Sequence, residues 1–186
     1  MKMETQKLVA RCAMHDLTKA FGSEAITAGG APRDWFMGFP ACDIDVFIQA
    51  EGVTAREIGH ALRSVDDEPA KVEKPGKNPY TDEFYYSQGY IENVFNTMSC
   101  GERIQVIVVK QDPVSVMKNF PINLSRAMYV RSGDRAGVSV YEDAFMEGMR
   151  DRQIRALHNN YKMSYVHKVM AKFPTFSWHP LGSYTY

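Results

Sequence analysis

The sequence predicts a mixed α/β fold of the α+β type, with a mixed β-sheet head, flanking helices and a helical C-terminal extension. The element order points there: helix, strand, helix, strand, helix, hairpin and then helices. The length of 186 residues suits one domain with at most a small appendage. A content of 45% hydrophobic and 24% charged residues excludes a disordered or fibrous protein. We expect the head over residues 1–114 and a small extension, packed on the head, over residues 115–186.

The N-terminal part is predicted to alternate helices with short strands. Apolar residues at spacings near 3.6 indicate helices, and short apolar runs bounded by glycine or proline indicate strands. Five elements follow in order: a helix over 3–21 that Gly22 ends, a strand over 25–28, a short helix from Pro32 to Gly38, a strand over 43–48, and a helix over 55–64. Thr54 is placed to cap the last helix, with Glu57 completing a capping box.

The later part begins with a polar, proline-rich segment over residues 66–83, which predicts a long loop. Such a loop either closes over a substrate or serves only as a connection. The elements after it are a hairpin of strands 90–96 and 103–109 around the turn 99–101, a helix over 113–119, strands over 126–131 and 138–141, a mostly helical segment over 142–172, and an irregular tail from Phe173.

Charge is balanced overall but divided unevenly along the chain. There are 22 Lys and Arg and 22 Asp and Glu, which argues against a protein that coats nucleic acid by electrostatics alone. Residues 115–186 carry ten basic and five acidic residues, against twelve and seventeen in residues 1–114. Either the extension faces a polyanion or the two parts pair with each other.

The cysteines and the N-terminus bear on the cellular compartment. Three cysteines without a C-x-x-C pair predict neither a disulfide framework nor a zinc site. The N-terminus is charged throughout and lacks the apolar core of a signal peptide, and no apolar run approaches the length of a membrane span. We therefore expect a cytoplasmic protein with no membrane partner.

Residues 26–48 contain the most informative pattern. Gly29 and Gly30 lie between a predicted strand and a short helix, where the absence of Cβ atoms lets backbone N–H groups approach a ligand. The start of the helix favours an anion. Taken alone, this pattern indicates either a phosphate cradle or an ordinary tight turn.

Asp43 and Asp45 lie two residues apart at the start of the next predicted strand. Because strand side chains alternate, both carboxylates point to one face. Their mutual repulsion is relieved by a cation, and Mg²⁺ favours one or two carboxylates together with substrate phosphates. The alternative is two solvated acids. A phosphate cradle followed closely by such a pair is what phosphoryl transfer requires.

The pattern Gly29-Gly30-x-x-Arg33-Asp34 followed by Asp43-x-Asp45 resembles the head of DNA-polymerase-β-type nucleotidyltransferases. The most similar variant is that of the tRNA CCA-adding enzymes and bacterial poly(A) polymerases, and the likeness covers residues 25–48. The resemblance implies a nucleotidyltransferase-like sheet, a nucleoside triphosphate (NTP) as substrate, and Mg²⁺ or Mn²⁺ as the metal.

Residue roles follow from this resemblance. Gly29 and Gly30 would hold the triphosphate through their backbone N–H groups, and Asp43 and Asp45 would bind two metal ions. Arg33 could contact phosphate or the incoming nucleotide. We expect Asp34 to be structural, accepting hydrogen bonds at the turn, and Trp35 to lie in the core.

The resemblance also implies a third carboxylate on a later strand, and the fitting position holds Gln105. A carboxamide binds metal weakly and is no base at neutral pH. Either the active site is altered, or Glu92 or Glu102 serves instead; for Glu102 we expect an ordinary surface charge.

The basic residues of the C-terminal part suggest a second binding surface. Arg150, Arg152 and Arg155, expected on one helix, are candidates for contacting a base, phosphate or acceptor RNA. A solvated basic face is the alternative. His158, His167 and Lys168 show no metal-binding spacing.

The sequence thus predicts a minimal enzyme that moves a nucleoside monophosphate from an NTP to an acceptor hydroxyl and releases pyrophosphate. An RNA 3′ end, as in tRNA, is the expected acceptor. The alternative is a degenerate module that binds a nucleotide or RNA as a regulator or inhibitor, as Gln105 would suggest.

Overall fold

A computed structural model describes residues 2–62, 69–71, 89–133 and 136–182. Seven strands form one mixed sheet in the order β3-β4-β5-β2-β1-β6-β7, which confirms the predicted fold class. The strands are β1 (Ile26–Ala28), β2 (Ile44–Gln49), β3 (Ala70–Lys71), β4 (Ile91–Ser99), β5 (Glu102–Val109), β6 (Ala127–Ser132) and β7 (Ala136–Tyr141). The β2–β5 pair is parallel, whereas β1 pairs antiparallel with β2 and β6.

The four helices predicted for the first part are present, but the second begins at Gly30 instead of Pro32 and the third ends at Ala61 instead of residue 64. They are α1 (Lys2–Phe21), α2 (Gly30–Phe36), α3 (Ala55–Ala61) and α4 (Pro113–Lys118). The predicted capping box is confirmed: the Thr54 side chain accepts from the Glu57 backbone N–H, and the Glu57 carboxylate accepts from the Thr54 backbone N–H. Two orphan N–H groups of α3 are satisfied in this way.

The two faces of the sheet have separate hydrophobic cores. On one face, Met14 and Leu17 of α1 pack with Ile44, Val46 and Ile48 of β2. On the other face, Phe47 of β2 packs with residues of β1, β5 and α4. Because side chains alternate along β2, Asp45 shares the face of Phe47, opposite to α1.

The C-terminal part is less helical than predicted. Residues 142–172 form α5 (Asp143–Asp151), strand β8 (Gln153–Arg155) and α6 (Met163–Lys172), and the tail contains strand β9 (Ser177–His179), which pairs in parallel with β8. The reason is a tertiary contact. The fully buried Asn123 side chain donates to Gln153 O and accepts from Arg155 N, which holds β8 in an extended conformation.

The structure bears on two expectations about chain organisation, namely the extension after residue 114 and the loop over residues 66–83. Strands β6 and β7 follow residue 114 but belong to the central sheet, so part of the expected extension completes the head; the boundary at 114 itself stays a prediction. Within the expected loop over 66–83, the structure describes residues 69–71, of which Ala70–Lys71 form strand β3 beside β4; residues 66–68 and 72–83 lie outside the described part of the chain. No described helix is long and apolar enough to cross a membrane.

Candidate active site

The diglycine bend joins β1 to α2, as the sequence predicts. Gly29 has φ 85° and ψ −117°, which an L-residue with a Cβ rarely adopts, so glycine is required there. The Gly29 N–H donates to Ala127 O at 2.9 Å and is therefore already committed to β6. Gly30 and Ala31 begin α2, where the first N–H groups have no partner within a helix.

The strand register shows which residue of β5 lies beside the aspartate pair, at the position where the resemblance implies a third carboxylate. Asp45 of β2 lies opposite Gln105 of β5, on parallel neighbouring strands whose backbones are about 4.8 Å apart. Asp43, Asp45 and Gln105 all line the same cavity. The position beside the aspartate pair therefore carries a carboxamide, and neither Asp43 nor Gln105 makes a side-chain hydrogen bond with a described residue.

Neither glutamate alternative reaches this cavity. The Glu92 carboxylate accepts from the Gly52 N–H at 2.8 Å and does not line the cavity. Glu102 is 9% exposed and accepts a hydrogen bond from Gln6 at 2.7 Å, so the expectation of an ordinary surface charge is wrong. A buried partner on α1 holds this carboxylate, and the sequence pattern around Glu102 does not indicate it.

The cavity has a volume of about 490 Å³, within the range of small-molecule sites. One wall is the sheet face with the diglycine bend and the acids, and the opposite wall is α6. Tyr90 and Phe120 contribute aromatic surface. Burial raises the pKa of the Tyr90 phenol to about 12, so this group stays protonated at physiological pH. Cys42, beside Asp43, also lines the cavity and is exposed.

Arg33 and Asp34 form a buried ion pair at the base of the cavity. Arg33 Nε and Nη2 both donate to Asp34 Oδ1, at 2.9 and 2.8 Å, and Nη1 donates to the Tyr165 hydroxyl at 3.4 Å. Asp34 Oδ2 accepts from Lys172, as its expected structural role requires. The Arg33 guanidinium, predicted to contact phosphate, is thus engaged by protein groups on three of its nitrogens.

The electrostatics of Arg33 follow from these partners. Burial by itself lowers the pKa of the Arg33 guanidinium, but Tyr165 and Asp34 raise it, and the net pKa lies above the ordinary value. The Phe173 ring centroid lies 5.5 Å from the guanidinium carbon. Arg33 therefore stays charged and fixed behind the diglycine bend, where its Nη2 lies 3.6 Å from the position of a Cβ on Gly30.

Helix α6 brings residues to the cavity that the sequence analysis missed. Lys162, Ser164 and Lys168 line it, and the Lys168 ammonium makes no hydrogen bond or ion pair with a described residue. The signal was present in the spacing: Tyr165, Lys168 and Lys172 recur at intervals of three and four, which places them on one face of a helix. The Tyr165 hydroxyl also lies 2.7 Å from Ser125 Oγ and so fixes α6 to the head.

The three arginines proposed as an RNA-binding set lie away from the cavity lining and not on one helix. Arg150 is at the end of α5 and pairs with Asp151 at 2.8 Å. Arg152 ends that helix with φ 53°, and Arg155, on β8, pairs with Glu147 and Asp151. Trp35 is 4% exposed, which confirms its expected place in the core.

The donor set fits a magnesium ion better than a soft metal. Asp43, Asp45 and the Gln105 carbonyl offer only oxygen atoms, and Mg²⁺ accepts one or two carboxylates completed by water and phosphate. The described residues contain no group of three or more His, Cys, Asp or Glu side chains that could hold a metal alone. A metal at this site would therefore complete its coordination with water or, when substrate is bound, with phosphate oxygens.

Comparisons with known proteins identify the fold. No protein-family model and no curated protein matches the sequence. A solved structure of a tRNA-processing enzyme superposes with TM-score 0.61 at 13% identity, over 97% of this chain and 45% of the other. The CCA-adding enzyme of Thermotoga maritima complexed with tRNA superposes with TM-score 0.60 at 13% identity, over 92% of this chain and 38% of the other. A CCA-adding enzyme in complex with CTP superposes with TM-score 0.58 at 15% identity, again over 92% of this chain and 38% of the other.

The chain therefore has the fold of the nucleotidyltransferase head of CCA-adding enzymes, which confirms the resemblance indicated by residues 25–48. It spans less than half the length of these relatives.

Proposed function

We propose that the chain is a minimal nucleotidyltransferase that uses Mg²⁺ or Mn²⁺ to transfer a nucleoside monophosphate from an NTP to an acceptor hydroxyl. One observation carries the proposal: the diglycine bend and both aspartates line a single cavity, in a fold shared with enzymes solved in complex with CTP and ATP. The acceptor oxygen attacks the α-phosphorus, the bond to the bridging oxygen breaks, pyrophosphate leaves and the hydroxyl proton passes to water.

In this proposal Asp43 and Asp45 hold the metal, with the Gln105 carbonyl as a weaker neighbour. A bound metal would offset the negative charge that develops on the triphosphate. The Gly30 N–H group and the Lys168 ammonium, which both line the cavity, would donate hydrogen bonds to phosphate oxygens. Arg33 acts indirectly, because its hydrogen bonds to Asp34 and Tyr165 keep it behind the bend.

We propose an RNA 3′ end, that of tRNA in particular, as the acceptor. The similar structures include an enzyme complexed with tRNA, and a terminal ribose offers the hydroxyl that the reaction needs. A protein side chain or a small molecule would present the same group, and the experiment below separates these acceptors.

The test is incubation with each labelled NTP, Mg²⁺ or Mn²⁺, and total cellular RNA, with label followed into RNA, protein and pyrophosphate. We expect metal-dependent transfer to RNA that the isosteric double variant Asp43→Asn/Asp45→Asn abolishes. Glu92→Gln is the matched control, since that carboxylate binds Gly52 outside the cavity and its loss should leave transfer intact. Absence of transfer with every NTP, or full transfer by the double variant, would refute the proposal.

A second candidate, favoured by Gln105, is a binding module that holds an NTP without turnover. Calorimetry with NTP and metal separates the two. Tight binding without pyrophosphate release supports the module, release supports the enzyme, and no binding at all rules out both.

A further inference from the structure

The side chain of Gln6, on α1, is buried and has no role in the proposed transfer reaction. Gln6 is 0% exposed and lies on the opposite side of the sheet from the cavity, which it does not line. A fully buried carboxamide is costly unless all its donors and acceptors are satisfied.

All four hydrogen-bonding positions of this carboxamide are used. Nε2 donates to Ala41 O at 2.9 Å and to Glu102 Oε2 at 2.7 Å. Oε1 accepts from Ala41 N at 2.8 Å and from Trp35 Nε1 at 3.1 Å. One side chain of α1 thus binds Trp35 and Ala41, which are near each other in sequence, and Glu102, which is far from both.

Each of these three residues adjoins a part of the chain that carries active-site groups. Ala41 lies two residues before Asp43, and both its N–H and its C=O are held by Gln6. Glu102 is the first residue of β5, three residues before Gln105. Trp35 lies in α2, which begins at the diglycine bend. Gln6 therefore connects the segment before Asp43, the strand of Gln105 and the helix that follows the diglycine bend.

We infer that Gln6 is a positioning residue that sets the geometry of the metal site through Ala41, Trp35 and Glu102; this inference rests on the proposed function. Without it, the Ala41 N–H and C=O would be buried and unsatisfied, and the segment before Asp43 would shift to find other partners. A displacement of about 1 Å at a reacting group can lower a rate by about a hundredfold.

The first test uses Gln6→Met, which keeps similar bulk but removes every polar contact, and the probe is Mn²⁺ alone. We expect Mn²⁺ affinity to fall at least about tenfold, which is the smallest loss typical of mutations at residues that hold metal ligands in place. Backbone hydrogen exchange at Ala41 should rise as well. Leu17→Ala, on the same helix and also fully buried, is the control for lost stability and should leave Mn²⁺ affinity unchanged.

The second test exchanges the two polar partners. Gln6→Glu alone places two carboxylates against each other in a buried place and should weaken Mn²⁺ binding further. Adding Glu102→Gln returns an N–H donor between the two side chains, so the double variant should recover part of the affinity. A merely space-filling Gln6 predicts no such recovery.

The outcomes separate the two claims. Wild-type affinity in Gln6→Met, or an equal loss in Leu17→Ala at matched stability, overturns the positioning role while leaving the proposed function standing. A wild-type protein that binds neither Mn²⁺ nor NTP overturns the proposed function, and the positioning role falls with it.

Discussion

The two walls of the cavity are held in place by different kinds of contact. The sheet wall, with Asp43, Asp45 and Gln105, is fixed by strand pairing and by the hydrogen bonds of one buried carboxamide. The α6 wall is attached through side chains, chiefly Lys172 on Asp34 and Tyr165 on Arg33 and Ser125. Changes on the sheet wall should therefore alter the chemistry, whereas changes at the α6 attachment should alter stability and ligand affinity.

The largest effect should come from the sheet wall. Asp45→Asn replaces a carboxylate with a neutral isostere, and we expect the transfer rate to fall about a thousandfold because the metal contributes several kcal/mol at such sites. Single-turnover kinetics with saturating NTP measure this. A variant that keeps a substantial part of its rate would show that the acids are not metal ligands.

Asp34 binds both Arg33 and Lys172, so its substitution should weaken the attachment of α6 most. Asp34→Asn leaves Arg33 buried at 4% exposure without its counter-charge, and the expected loss is about 3 kcal/mol of unfolding free energy. Lys172→Met removes only the half-exposed partner and should cost about 1 kcal/mol or less. Urea titrations compare the two. Equal losses of unfolding free energy in the two variants would mean that the Arg33–Asp34 ion pair adds no stability beyond the Lys172 contact.

Lys168 tests the α6 wall for ligand contact. Lys168→Met removes the one positive charge that we assign to phosphate on this wall, so NTP affinity should fall about tenfold while the rate at saturation changes little. Binding titrations at two salt concentrations measure the change. Lys19→Met, at the end of α1, is the charge-matched control and should behave as wild type.

The smallest effect should follow Arg150→Gln. Arg150 is exposed, pairs with Asp151 and lies away from the cavity lining, so NTP affinity and melting temperature should not change. Gel-shift titrations with tRNA extend the test to the RNA-binding role considered for this arginine. A clear loss of tRNA binding would make the α5 face part of the acceptor site.

The sequence predicted the sheet wall well because its pattern is local. The bend at Gly29, the alternation of Asp43 and Asp45, and the Thr54 capping box each depend on residues within a few positions. Gln105 was proposed as the neighbour of the acids only through the family resemblance, and the parallel pairing of β2 with β5 places it beside Asp45.

What escaped prediction depends on contacts between distant segments. Glu102 looks exposed in sequence but is buried because Gln6, 96 positions away, satisfies it. The β8 strand lies within a helical pattern because Asn123 binds its backbone. Lys168 looked uninformative because only the docking of α6 brings it to the cavity. No local propensity contains this information.

The thiol of Cys42 is exposed and lines the cavity, so its reactivity should report whether the cavity is occupied. Cys12 and Cys100 are also exposed but do not line the cavity, so they serve as internal references for general accessibility. A bound nucleotide should slow alkylation of Cys42 relative to the other two thiols, as mass spectrometry would measure peptide by peptide. Occupancy can thus be followed in the unmodified sequence, without a labelled nucleotide, turnover or knowledge of the acceptor.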